Sequence, residues 1–195
     1  MGLIFALHGT KGSGKDEFFK IVKRFFPELD VRKVAYADPI KREVCRIFGI
    51  SSEEEYDHFK RKEMAFEIVE GTKTSLHGRH FVREVGMLMR RYDVNQFVRY
   101  VEDTVKSAPE AVWCITDVRF ENELISVRGL DAIVVKILRA GATFDGHVSE
   151  VEFPSAACNY VIHNDGNIKE YEYEVVSLIE HVMHYRAPEL LKVEG

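Results

Sequence analysis

At 195 residues, with 46% hydrophobic and 30% charged side chains, the chain carries enough apolar material for a buried core, and its composition excludes a fibrous or disordered protein. The net charge of −5 argues against a long nucleic-acid duplex as partner, while three scattered cysteines without C-x-x-C spacing argue against zinc and fit a reducing compartment. Its apolar runs are too short to span a bilayer and residues 1–9 too short for a secretory leader, so a cytoplasmic protein is expected, with no membrane partner.

Residues 3–7 form a continuous apolar run, as in a buried strand. Gly9, Thr10, Lys11, Gly12, Ser13, Gly14 and Lys15 then match G-x-x-x-x-G-K. Phe18, Phe19, Ile21, Val22, Phe25 and Phe26 continue as a helical apolar stripe that Pro27 closes. Strand, glycine loop and helix in this order make a phosphate cradle. The glycines turn backbone N–H groups inward, the helix N-terminus adds its dipole, and Lys15 reaches the β- and γ-phosphates of a nucleotide such as ATP. The full motif ends in Ser or Thr, which binds magnesium; here Asp16 stands in that place. Asp16 either ligates magnesium, directly or through water, or simply favours the helix N-terminus.

Residues 31–37 predict a weaker strand, broken by Asp38-Pro39 and followed by a helix over 40–48. Asp38 is placed to meet a sugar hydroxyl or base, or to cap the helix; Lys41 and Arg42 are placed for an acceptor phosphate. Ser51 to Glu55 reads as a helix start. The polar stretch to about residue 71 is expected as an exposed helical excursion, with a loop over 71–78. On a helix over 80–92, Arg83 and Arg90 are seven residues apart and share a face. They form either a monophosphate clamp or a solvated face paired with Glu84 and Asp93. A further amphipathic helix covers 94–105.

A strong strand over 111–116 ends at Asp117, with Arg119 two residues on. Asp117 suits magnesium or the orientation of an acceptor, or else a helix cap; Arg119 suits a phosphoryl clamp or a surface position. A helix over 120–128 leads to a third strong strand, 132–138, ending at Arg139. The glycine-containing polar stretch 139–151, with His147, reads as a lid or as an ordinary surface connection. A short strand over 159–163 precedes Asn164-Asp165-Gly166, which walls an adenine or is pure turn chemistry. A helix over 168–184 follows. The remaining histidines, His8 included, have no metal-ligand spacing and read as packing or surface residues.

Strands alternate with helices and are apolar on both faces. This predicts an α/β fold in which a parallel sheet is sandwiched by helices, with ligands at the carboxyl ends of the strands. A single domain over 1–195 is expected, with an acceptor-binding region at about 38–93.

GTKGSGKD at 9–16, YADPIK at 36–41, REVGMLMRR at 83–91, ITDVRFENE at 115–123, the stretch from Arg139 through HVSE to Glu150, and VIHNDGNIKE at 161–170 occur together in this order. In these segments the chain resembles the deoxynucleoside monophosphate kinases of tailed bacteriophages, including the T-even type, whose phosphate loop also ends in aspartate. Residues 51–78 match least. The resemblance implies a P-loop NTPase of nucleoside-monophosphate-kinase type with acceptor and lid regions, ATP as donor, magnesium as cofactor and a deoxynucleoside monophosphate as acceptor. It implies Lys15 and the loop at the ATP phosphates, Lys41, Arg83 and Arg90 toward the acceptor, and Arg119, Arg139 and His147 toward the transfer zone. A host-cytoplasm setting and a homodimer follow by analogy. The lysine–aspartate loop is similar to that of animal-type phosphomevalonate kinases too, which keeps another phosphorylated acceptor open; a regulatory ATPase, which binds ATP but transfers to water or to nothing, is a separate alternative.

Overall fold

The computed structural model describes residues 2–69, 72–142 and 153–191, with side chains left aside over 64–76. The chain divides into two compact units: residues 1–36 with 101–195, and residues 37–100.

The first unit is built on five parallel strands: β1 (Ile4–His8), β2 (Val31–Val34), β5 (Val112–Ile115), β6 (Ile133–Leu138) and β7 (Tyr160–His163). Their order is β2-β5-β1-β6-β7, which puts β1 at the centre. Every residue of β1 and β5 is buried, as expected for strands covered on both sides. Side chains alternate between faces, so Leu3, Phe5 and Leu7 point one way and Ile4 and Ala6 the other. The first set joins Ile133, Val135 and Ile137 in a core with Phe18, Ile21 and Val22 of α1 (Lys15–Phe25) and Val175, Ile179 and Val182 of α7 (Ile168–Arg186). α7 starts on a reciprocal cap: the Asn167 side chain accepts from the Lys169 and Glu170 N–H groups, and Glu170 accepts from the Asn167 N–H. α6 (Glu121–Gly129) begins with only the return half of such a cap: Glu123 turns back onto backbone N–H groups, and the N-cap residue Phe120 has no side-chain acceptor. The expected parallel α/β sheet is therefore present.

The second unit holds α2 (Asp38–Phe48), α3 (Glu53–Arg61), β3 (Glu63–Val69), β4 (Thr72–His77) and α4 (Gly78–Tyr92). α5 (Gln96–Lys106) begins in this unit. β3 and β4 pair antiparallel with a register shift between Glu67 and Val69. α3 bears out the first part of the expected helical excursion, while β3 and β4 correct its continuation to about residue 71 and the loop over 71–78. Glu63, Met64, Phe66, Glu67 and Ile68 include a period-two apolar run that favours a strand over an amphipathic helix. Ser52 caps α3 as expected, accepting from the Glu55 N–H at 3.1 Å. Gly86 lets α2 and α4 meet closely: a Cβ there would lie 2.8 Å from Ile40 Cδ1.

Candidate active site

Residues 9–15 join the carboxyl end of β1 to the start of α1. The path needs glycine at particular points. Gly9 and Gly14 have φ of 155° and 114°, and a Cβ on Gly9 would lie 2.4 Å from the Ile137 carbonyl oxygen. A Cβ on Gly14 would lie 2.6 Å from Asn164 Nδ2 and 3.1 Å from the Tyr171 hydroxyl.

The loop's carbonyl oxygens are held one after another by side chains. Lys15 Nζ donates to the Gly9 and Thr10 oxygens at 2.7 Å each and to Ser13 Oγ at 3.4 Å. Arg139 Nη1 donates to Gly12 O at 3.3 Å, Asn164 Nδ2 to Ser13 O at 2.8 Å, and the Tyr171 hydroxyl to Gly14 O at 3.0 Å. The Ser13 N–H closes a turn by donating to the Thr10 oxygen at 3.2 Å, and a loop whose carbonyls are engaged by side chains suits the cradling of an anion by its backbone N–H groups. Burial pushes the Tyr171 phenol above its ordinary range, so it stays a protonated donor.

Lys15 of the loop itself and two residues expected after strands, Arg139 and Asn164, thus meet at the loop's carbonyls. Lys15 and Arg139 hold its carbonyls, and Asn164 uses its buried side chain to brace Ser13. Asp165 accepts from the Ala140 N–H, next to Arg139. Thr10 is held through its backbone, while Lys11 and Gly12 lie on the exposed side.

Asp117 follows β5 and is half-buried; its Oδ1 accepts from the Tyr36 N–H at 2.7 Å, which ties the ends of β5 and β2 together. It does not cap α6. That task falls to Glu123, 1% exposed, whose Oε2 accepts from the Arg119 and Phe120 N–H groups at 2.8 and 3.0 Å. The Tyr36 hydroxyl donates to Glu123 O at 3.3 Å. Burial, followed by the Glu123 and Asp117 carboxylates, raises the Tyr36 phenol far above its usual range.

Asp16 lies in the first turn of α1, is 76% exposed and pairs with Lys33 Nζ at 3.2 Å. Among the described residues no three His, Cys, Asp or Glu side chains gather as a metal site. Magnesium on nucleotide phosphates needs only one or two carboxylates, the rest of its shell being phosphate oxygen and water, and Asp16 and Asp117 are donors of that kind.

In the second unit, Asp38 opens α2. Lys41 forms an ion pair with Glu53 and stands 5.1 Å from the Tyr56 ring centre. Burial pushes the Tyr56 phenol up to about 12. Arg83 and Arg90 are both half-buried on α4, and the Arg90 guanidinium stacks over Phe97 at 4.5 Å. Asp93 pairs with Arg99. His147 and most of the expected lid, residues 143–151, lie outside the described residues.

Sequence reasoning missed His8, Tyr36, Glu123, Lys136 and Tyr171. His8, Tyr36, Lys136 and Tyr171 work through contacts with distant parts of the chain, whereas Glu123 caps α6 locally. The one local signal was a polar residue inside or beside an apolar run, as at His8 and Lys136.

Residues 87–175 match the family model described as "Deoxynucleotide monophosphate kinase". A curated protein of Acanthamoeba polyphaga mimivirus, provisionally named a deoxynucleotide monophosphate kinase, is 26% identical over 189 residues, covering 91% of this chain and 96% of that protein. Among solved structures, the dephospho-CoA kinase from Campylobacter jejuni superposes with a TM-score of 0.52 at 13% identity, over 95% of this chain and 99% of that one. That likeness is one of fold. Among the described residues no helix is long and apolar enough to cross a membrane.

Proposed function

Taking the chain as a member of the deoxynucleotide monophosphate kinase family, we propose that it transfers the γ-phosphoryl group of ATP to a deoxynucleoside monophosphate, giving the diphosphate and ADP. The observation that carries this reading is the glycine loop whose carbonyls are held by Lys15, Arg139, Asn164 and Tyr171. Such a cradle is built for a polyphosphate.

The acceptor's phosphate oxygen is already anionic, so the protein needs no strong base; its work is positioning and neutralising charge. Lys15 moves from the Gly9 and Thr10 carbonyls to the β- and γ-phosphate oxygens. Arg139 and Arg119 offer planar donors to the transferring group. Asp117 orients ligands at the strand end. Asp16 and Asp117 are the residues that would hold magnesium, which would supply neutralisation of phosphate charge. Asn164 and Asp165 stand at the turn assigned to the nucleotide side. Asp38, Lys41, Arg83 and Arg90 form the acceptor-binding set, with residues 139–151 as lid. The proposed setting is the cytoplasm, with no nucleic-acid partner and a homodimer as the assembly.

The test is ADP release with ATP and magnesium against deoxy- and ribonucleoside monophosphates and phosphomevalonate. Stimulation by one or more deoxynucleotides supports the reading and defines the base. Stimulation by phosphomevalonate alone keeps the chemistry and moves the acceptor. ADP release indifferent to every acceptor points to a regulatory ATPase.

A further inference from the structure

His8 ends β1, directly before Gly9, and is 3% exposed. A buried imidazole has to satisfy both ring nitrogens inside the protein. Its Nδ1 lies 2.9 Å from the Val118 carbonyl oxygen, and the Phe153 N–H donates to Nε2 at 3.0 Å. A carbonyl oxygen cannot donate and an amide N–H cannot accept. The two partners therefore fix the neutral ring with its proton on Nδ1. The Phe153 ring packs on the imidazole at 4.4 Å, and Lys136, the register partner of His8 on β6, donates to the Phe153 carbonyl at 2.8 Å.

Val118 lies between Asp117 and Arg119, and its own N–H donates to the Leu7 carbonyl at 3.2 Å. The segment bearing these two candidate transfer residues is thus fastened to β1 at consecutive positions: by backbone at Leu7 and by side chain at His8. A Leu or Phe would fill the same volume. It would leave the Val118 carbonyl and the Phe153 N–H without the ring's hydrogen bonds.

We propose that His8 is a positioning residue for phosphoryl transfer, its Nδ1–H bond to Val118 setting where Asp117 and Arg119 stand relative to the phosphate loop. This rests on the kinase reading above. The bonds to the loop's own carbonyls come from Lys15, Arg139, Asn164 and Tyr171, so loss of the His8 bond falls on transfer and spares ATP affinity.

Asparagine and glutamine separate the two ends of the ring. In His8→Asn the amide nitrogen takes the place of Nδ1 and keeps the bond to Val118. In His8→Gln the amide oxygen takes the place of Nε2 and keeps the bond from Phe153. The experiment measures kcat, ATP affinity by equilibrium binding, and thermal melting for the full chain and both variants. His8→Gln is expected to lose about 10- to 100-fold in kcat, the scale of a small misplacement of reacting groups, with ATP affinity within about threefold of the parent. His8→Asn is expected to recover most of that kcat even where its melting temperature falls as far. Equal kcat in His8→Gln and the parent would overturn the role, as would losses in both variants that follow melting temperature alone. A parent protein that binds ATP but transfers to no monophosphate would take down the reaction itself, and this inference with it.

Discussion

The Tyr171 hydroxyl donates to the Gly14 carbonyl oxygen at 3.0 Å, joining the last long helix to the turn that opens the first one. Beside it, Asn164 holds the neighbouring carbonyl of Ser13. Loop shape is therefore set by side chains far away in sequence as well as by its glycines. Tyr171→Phe removes one hydroxyl and little volume. It is expected to weaken ATP binding about three- to tenfold, the equivalent of one net hydrogen bond. Titration of the variant with a fluorescent ATP analogue checks this; unaltered affinity would remove Tyr171 from the loop's support.

Gly14→Ala places a Cβ 2.6 Å from Asn164 Nδ2 on a residue whose φ is 114°. Backbone strain and collision act together, each costing about 1–3 kcal/mol. Loss of ATP binding and a lower urea midpoint are expected. Gly12→Ala is the control: its φ of 80° disfavours a side chain, but nothing lies within 4 Å of the added carbon. It should be the milder change of the two.

Lys15→Ala removes the cation that binds the loop's own carbonyls and is assigned to the phosphates. Transfer should fall by at least about 10³-fold, the scale of a lost electrostatic stabiliser in such sites. Far-UV circular dichroism should stay that of the parent. Parental turnover in this variant would refute the proposed chemistry.

Cys114 is fully buried on β5, and burial pushes its thiol up to about 12. A raised thiol pKa leaves almost no thiolate at pH 8, and the sheet blocks access as well. In native protein at pH 8, the partly accessible Cys45 and Cys158 should react with a thiol reagent, Cys158 being slowed because burial raises its thiol too, while Cys114 stays silent until denaturant is added. Mass spectrometry of labelled peptides reads this directly. Early labelling at Cys114 would contradict the packing of β5.

Gly86→Ala in α4 sets two effects against each other. Helix propensity gains about 1 kcal/mol, while the new methyl lies 2.8 Å from Ile40 Cδ1 and overpacking costs about 1–3 kcal/mol. The expected result is a small net destabilisation, relieved in a double variant with Ile40→Val. Absence of that coupling in the double-mutant cycle would mean that α2 and α4 are not in close contact at this point.

The sheet and the phosphate loop were legible in the sequence because their signals are local. Apolar runs such as residues 3–7 and 132–138 mark buried strands, and glycines at fixed spacing before a lysine mark the cradle. The β3–β4 hairpin was obscured by the charged residues Glu63, Glu67 and Lys73, which made the segment read as exposed helix and loop. Asn164 and Asp165 were found by their place after a strand. That the Asn164 amide braces Ser13 could not be read, since 151 residues separate them. His8 looked like packing because an isolated histidine in an apolar run gives no hint of Val118 and Phe153.

The braces on the phosphate loop also bear on synthesis. Gly14 and Ser13 leave the ribosome early, but Asn164 and Tyr171 follow about 150 residues later. At about 5–20 residues per second, that interval lasts on the order of ten seconds or more. Through it, the glycine-rich turn exists without two of its supports, and for most of it β1 is without β6 beside it. A nascent chain of this kind sets the shape of its phosphate loop only once α7 has docked, so the cradle forms after the sheet around it rather than before.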